Sequence, residues 1–182
     1  PGHGSPLADS HKTLPVITRD MASLDSIDLY PFRRYIDSGL SGVMVGHLAV
    51  SAVDSVLRPA AMSPLVVRGL LLGQLGFKGL VLTDALNMGG AAGYEAWMPI
   101  AAGADVVVAP ESTAAAVRSA VKAVLSGGLA ARDIDRACKK VLAYKYLTGA
   151  GHSLPVSSEM LYEVVASDEA ADIRSRLRQV SQ

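Results

Sequence analysis

The chain has 182 residues, half of them hydrophobic, and its 17 Lys plus Arg balance 17 Asp plus Glu. That length supports one domain with a sizeable core, and the charge balance argues against a polyanionic partner, so nucleic-acid binding is disfavoured. The single cysteine, Cys138, excludes an internal disulfide framework, and no apolar run is long enough to cross a membrane.

Ala, Val, Leu and Gly dominate while aromatics are scarce, a balance that suits α/β architecture. The chain opens Pro1-Gly-His-Gly4 with no initiator Met, which reads as a truncation, and residues 1–13 form a Gly/Pro/Ser-rich loop. Leu14 to Ile17 is a short apolar run. Arg19 and Asp20 read as a surface ion pair, and Pro31 to Ser38 as a helix. Gly42-Val-Met-Val-Gly-His47 is the first convincing buried strand. Ser63-Pro64 supplies an N-cap and first-turn proline for a helix to Leu75, which Gly76 ends. Gly79 to Thr83 is the second strand and Asp105 to Pro110 contains the third. Thr113 to Leu125 and Ile134 to Leu147 are amphipathic helices, and Cys138, in a stripe with Ile134, Val141 and Leu142, reads as a buried structural thiol. Beyond Gly149 the pattern weakens to a polar stretch with one helical candidate, Ser167 to Val180, read as an extension or linker over 150–182. Alternating strands and helices imply a parallel sheet. Three such units are too few for a closed eight-stranded barrel of about 250 residues; they fit a small open sheet or the second half of a barrel.

Asp84 is the leading catalytic candidate. It ends a buried-strand run, Gly79-Leu-Val-Leu-Thr-Asp84, and the carboxyl end of a strand in such a unit faces ligands. A helix N-cap is the equally weighted alternative, since Ala85-Leu86 can begin a helix. Asp9-Ser10-His11 places a carboxylate and an imidazole two apart on a loop, where one can orient the other for proton transfer near neutral pH; taken alone it is a weak signal. His47 ends its strand on the same side as Asp84, with a core histidine as the alternative. His3 lies between glycines, where the backbone can approach a ligand, and Met88 lies one turn beyond Asp84 as a pocket wall or a core residue. No metal-ligand spacing, phosphate-binding glycine loop or serine nucleophile elbow occurs, so no cofactor or metal is expected and the chemistry narrows to carboxylates and histidine.

In order and spacing, several stretches resemble glycoside hydrolase family 3, in its bacterial β-N-acetylglucosaminidase branch. They are Pro1-Gly-His-Gly4, Asp9-Ser-His11, Leu14-Pro15, Asp28-Leu-Tyr-Pro-Phe32, Val43-Met-Val-Gly-His47, Pro59-Ala-Ala-Met-Ser63, Leu75-Gly-Phe-Lys-Gly79 and Val81-Leu-Thr-Asp-Ala-Leu-Asn-Met88. The resemblance implies a (β/α)8 barrel, of which residues 1–149 are similar to the C-terminal half. It implies Asp84 as the nucleophile of a retaining mechanism, His11 as acid/base and Asp9 as its partner; His3, His47 and Met88 are expected on the substrate side from their own positions in the chain. Two departures stand out. The family's Lys-His-Phe segment, expected just before Pro1, lies outside the chain, and Leu72 replaces a usual Arg, read as a packing variation.

The expected substrate is a carbohydrate, an amino-sugar glycoside or peptidoglycan fragment. The alternatives are a β-glucosidase or phosphorylase of the same family, because a neutral imidazole does not repel phosphate, and a non-catalytic scaffold. An isolated half barrel is expected to be inactive and to self-associate through its strand edges.

Overall fold

The computed structural model describes residues 2–4, 6–150, 163 and 167–180. The chain divides into two compact units, Pro1–Tyr144 and Lys145–Gln182.

The first unit is built on parallel strands. β1 (Val16–Ile17) pairs with β3 (Ala49–Val50). β2 (Gly42–Val45) pairs with β4 (Leu80–Ala85), and β4 pairs on its other side with β5 (Val106–Val108). β2 and β3 are successive parts of one passage of chain that bends at Gly46-His47-Leu48, so its first part faces β4 and its second faces β1. Spatial order therefore follows chain order, from β1 to the bent passage, β4 and β5. That is the progression of a singly wound, barrel-type sheet; a doubly wound sheet reverses at a switch point. The α/β class and the parallel sheet are as the sequence predicts.

Val43, Val45, Val81 and Thr83 are buried, while Met44 between the first two is 51% exposed. This period-two alternation puts one face of the sheet against the core. There it meets Val66, Val67, Leu70 and Leu71 of helix α2 (Leu65–Gln74), together with Phe77. Parallel sheets are usually covered on both faces; the Met44 side is left open among the described residues.

The helix α1 (Tyr30–Asp37) follows a short helical lead-in, Met21–Ser23 and Leu24–Asp28. α2 is hydrogen-bonded in the wide i to i+5 pattern, and Gly76, at φ +66°, reverses the chain after it. α3 (Met98–Ala102), unforeseen in the sequence, precedes β5. α4 (Thr113–Leu125) is capped by Ser112, whose Oγ accepts the Ala115 N–H at 3.3 Å, and α5 is Ala131–Leu147. In the second unit, α6 (Asp168–Val180) starts on Ser167, whose Oγ accepts the Ala170 N–H at 3.2 Å. The remainder of the extension read over 150–182 lies largely outside the described residues. No helix among them is long and apolar enough to cross a membrane.

Two buried carboxylates fasten these elements. Asp105, just before β5, accepts the Val81 N–H of β4 at 2.9 Å and the Lys140 ammonium of α5 at 2.9 Å, and its other oxygen pairs with Arg136. Asp54, fully buried after β3, accepts the Ser63 hydroxyl at 2.6 Å, Arg58 Nε at 3.0 Å and the Val56 N–H at 3.1 Å. Burial alone pushes the Asp54 carboxyl up, but the Ser63, Arg58 and Val56 bonds outweigh it and hold the group below its ordinary value.

Several expectations are corrected. Cys138 is exposed: α5 turns Ala137, flanked by Ile134 and Val141, inward, and one further residue along the helix rotates the thiol off that face. Arg19 and Asp20 do not pair with each other. Arg19 lies 3.6 Å from Asp28, and Asp20 accepts the Ser23 N–H at 2.7 Å as a helix cap. α5 starts three residues before Ile134, and β2 ends at Val45, leaving His47 in the bend.

Asp54→Ala is expected to cost roughly 3 kcal/mol, because Ser63 and Arg58 lose a buried partner. The folded pKa is depressed, so the Asp54 contribution is present above the ordinary 3.8 and is lost as pH falls through the lower folded value. Urea titrations at pH 7 and near pH 3 check both statements; an unchanged midpoint at pH 7 would contradict the first.

Candidate active site

The carboxyl end of β4 is irregular where the chemistry is expected. Leu82 stands opposite Val106, but Ala85 stands opposite Val108, so β4 carries one residue more than β5 over this interval. Such a bulge bends a strand and re-aims a side chain. Thr83 repairs the interrupted ladder: its fully buried Oγ1 accepts the Val108 N–H at 3.0 Å, and the Leu86 N–H returns to the Val108 carbonyl at 3.0 Å. A side chain thus replaces a main-chain acceptor, and Asp84 sits at the disturbance.

Asp84 is partly buried, and its Oδ1 accepts the N–H of the next residue, Ala85, at 2.8 Å. A helix N-cap would instead accept from an N–H two or three residues on. The strand continues through Ala85, and the next helical turn, Gly89–Ala91, begins after Met88, so the carboxylate caps no helix. Among the described residues its Oδ2 accepts no hydrogen bond.

Behind the strand end lies His47, fully buried, with Nε2 at 3.2 Å from the Ala85 carbonyl. Since a carbonyl only accepts, Nε2 carries the proton and Nδ1 does not; Nδ1 is buried without a partner among the described residues. Burial pushes this imidazole below its ordinary pKa and outweighs the opposing pull of the Asp84 carboxylate and the carbonyls of Asp84 and Ala85. His47 is therefore neutral at pH 7.

The second constellation is a turn. The N–H groups of Lys12 and Thr13 bond the Asp9 carbonyl at 3.0 and 3.1 Å. Asp9 Oδ1 accepts the His11 main-chain N–H at 3.0 Å and stands 2.8 Å from His11 Nδ1. These two bonds, the main-chain one first, hold the Asp9 carboxyl below its usual range, so it is ionised at neutral pH. It places the ring proton on Nδ1 and leaves Nε2 as the uncommitted nitrogen of a side chain that is 76% exposed.

The two constellations are joined through main chain. The Gly89 N–H bonds the His11 carbonyl at 2.9 Å, and the Gly90 N–H bonds the Ser10 carbonyl at 3.0 Å. The segment that leaves Asp84 thereby carries the turn that bears His11. Met88 is buried in that segment, its N–H 3.2 Å from the Ala85 carbonyl, and His3 is exposed. Chemically, the arrangement offers a strand-end carboxylate with an unengaged oxygen and an imidazole with a set tautomer. Those are the parts of nucleophilic catalysis assisted by proton transfer. Among the described residues, no group of three or more His, Cys, Asp or Glu is placed to hold a metal ion. Sequence reasoning gave no role to Thr83, Gly89 or Gly90; the adjacent glycines just past Met88 were the available signal.

Residues 1–144 match the family model described as the glycosyl hydrolase family 3 N-terminal domain. A β-hexosaminidase of Chromobacterium violaceum is 40% identical over 113 residues, which covers 59% of this chain and 31% of the relative. A β-hexosaminidase of Nitrosospira multiformis is 45% identical over 92 residues, covering 50% of this chain and 26% of the relative. The solved structure of a glycoside hydrolase family 3 β-N-acetylglucosaminidase from Paenibacillus sp. superposes with a TM-score of 0.78 at 36% identity, covering 86% of this chain and 32% of that one. The chain thus spans less than a third of the length of these two curated relatives.

Thr83→Val, which keeps shape but removes the acceptor, is expected to cost about 1–3 kcal/mol by stranding the Val108 N–H, whereas Thr83→Ser costs less than half as much. Denaturation curves of the two variants compare them, and equal losses would contradict the bond's role. For His47, a folded pKa below the ordinary 6.5 means the unfolded chain takes up this proton first, so its contribution to stability falls as pH drops below 6.5. Nitrogen NMR should find a neutral ring protonated on Nε2 at pH 7; a doubly protonated ring there would contradict this.

Proposed function

The chain belongs to glycosyl hydrolase family 3, and from that membership we propose that it carries the nucleophile and the acid/base of a retaining β-N-acetylhexosaminidase. The observation that carries the reading is the main-chain tie between the His11 turn and the segment following Asp84, which holds both reacting groups on one frame. The similarity to β-hexosaminidases and to a β-N-acetylglucosaminidase supports the sugar class.

In the first half-reaction an Asp84 oxygen attacks the anomeric carbon. The bond to the aglycone oxygen breaks as His11 Nε2–H gives that oxygen its proton, leaving a glycosyl ester and a neutral imidazole. In the second, His11 Nε2 takes a proton from water, whose oxygen attacks the anomeric carbon; the ester bond breaks, Asp84 returns as carboxylate and the imidazole is again protonated. Asp9 remains ionised beside Nδ1–H throughout, stabilising the imidazolium and orienting the ring. On the substrate side His3 is the exposed member of the set, while His47 and Met88 shape the floor beneath the strand end. The substrates proposed are small β-N-acetylglucosaminides, including peptidoglycan fragments of bacteria, with residues 1–149 as the part of the barrel that carries the catalytic groups and 150–182 as an extension.

A second reading follows from the imidazole. When neutral it adds no negative charge beside the glycosyl ester, so phosphate can replace water as acceptor and sugar phosphate becomes the product. The open Met44 face and the edges of β1 and β5, unpaired among the described residues, support a further proposal, self-association of this chain.

In the complete polypeptide that carries this sequence, a fluorinated amino-sugar should label the peptide containing Asp84, as read by mass spectrometry. Asp84→Ala should lower kcat by at least about 10³-fold. Absence of label at Asp84 would favour a non-catalytic scaffold. Product analysis in phosphate buffer separates hydrolysis from phosphorolysis, since free sugar alone removes the second reading. Sedimentation of this chain should show self-association, and a monodisperse monomer would contradict it.

A further inference from the structure

The Asp84–Met88 segment runs into two glycines that the proposed chemistry does not use. Neither has a positive φ, so no left-handed backbone requires them. Space does. A Cβ on Gly89 would lie 2.4 Å from the Lys12 carbonyl oxygen, 2.5 Å from its carbon and 3.0 Å from the His11 carbonyl oxygen. A Cβ on Gly90 would lie 2.9 Å from both Cβ and carbonyl oxygen of His47 and 3.1 Å from the Ser10 carbonyl oxygen. Ordinary contact begins near 3.4 Å, so main chain rests on main chain here with no room for a methyl group.

The same two residues donate the hydrogen bonds that reach Ser10 and His11. Among the described residues, the other bonds of this turn are internal to it, between Asp9 and the N–H groups of His11, Lys12 and Thr13 and between Asp9 and the His11 ring. Ser10 is buried while Asp9, His11, Lys12 and Thr13 are exposed. The turn is therefore rigid within itself and seated on the body of the protein at Ser10 and the glycine pair.

We propose that Gly89 and Gly90 are positioning residues for the proton-transfer steps, a side-chain-free clamp that sets the height of the His11 turn above the end of β4. The proposal rests on the assignment of His11 as acid/base. Two main-chain bonds across a methyl-free contact have no rotamers to lose, so the clamp carries the geometry of β4 to the imidazole with little slack. The two positions differ in what a methyl group would push. At Gly89 it meets carbonyls of an exposed turn, which can lift by roughly 1 Å to restore ordinary contact, and displacement on that scale costs up to about 10²-fold in rate. At Gly90 it meets the main chain of buried His47 and strikes the fold itself. Gly89→Ala is accordingly the informative variant.

The test uses the complete polypeptide and a series of aryl N-acetyl-β-glucosaminides of decreasing leaving-group acidity, comparing the unmodified protein, Gly89→Ala and His11→Ala. For Gly89→Ala, kcat/KM on the poorest leaving groups should fall about 10- to 100-fold. The dinitrophenyl substrate, which leaves without a proton, should change less than about 3-fold, because this substrate bypasses the acid step. The dependence on leaving-group pKa should steepen toward that of His11→Ala. Equal loss on every substrate, or no loss, would overturn the clamp. If His11→Ala shows no leaving-group dependence, the acid/base assignment falls and the clamp with it; a steep His11→Ala beside a flat Gly89→Ala removes the clamp alone. Should Gly89→Ala not fold, amide hydrogen exchange on the unmodified protein decides. Protection of the Gly89 and Gly90 amides comparable to those of β4 supports the clamp, and free exchange overturns it.

Discussion

The hydrogen bond from the Val108 N–H to Thr83 Oγ1 is the constraint on which the rest of the site depends. A strand in a parallel sheet has each main-chain group committed to a neighbour, and a carboxylate at its end inherits whatever direction the pleat dictates. The extra residue in β4 breaks that dictate at Thr83 and Asp84. Without a replacement acceptor the break would strand a donor of β5 in a partly buried setting, at a cost comparable to a lost hydrogen bond. The threonine hydroxyl supplies the acceptor from the buried face while the next residue, Asp84, goes its own way. A hydroxyl before the carboxylate is thus explained by the ladder.

Around this irregular rim the scaffold is held by charges used as ties. Asp105 gathers β4, the start of β5 and two cations of α5, and Asp54 gathers the segment after β3 and the start of α2. Both carboxylates are buried and fully engaged, so they resist displacement and have no spare acceptor for a substrate. Asp84 is the opposite case. It has one hydrogen bond from its own neighbour and an oxygen that accepts none among the described residues. The acidic residues of this chain divide into those spent on architecture and those left available, and the hydrogen-bond inventory separates them where the residue type does not.

The histidines divide in the same way. His47 is sealed in the bend between β2 and β3 and held neutral by burial, with its proton on Nε2 for the Ala85 carbonyl. His11 is exposed, with its proton on Nδ1 for Asp9. Opposite tautomers follow from one rule, that the proton sits where an acceptor waits. The buried ring supports a strand end, and the exposed ring leaves Nε2 open to its surroundings.

Much of this protein was legible in the amino-acid order. Apolar runs broken by glycine and proline predict the strands β2, β4 and β5, because burial of a sheet demands them, and helical periodicity predicts α4 and α5. A carboxylate closing a buried run marks Asp84, and Asp9-Ser-His11 marks a local pair, since both features depend on residues close in the chain. What adjoins what across long separations was decided by tertiary structure alone. The bulge requires β5 beside β4, the bend at His47 requires β1 and β4 on opposite sides, and the exposure of Cys138 depends on which flank of α5 the sheet accepts. The seating of the His11 turn on Gly89 and Gly90 joins segments nearly eighty residues apart. Local pattern records the cost of burying each residue, but a contact between two main chains leaves no side chain to announce it, and so the clamp appears only once the chain is folded.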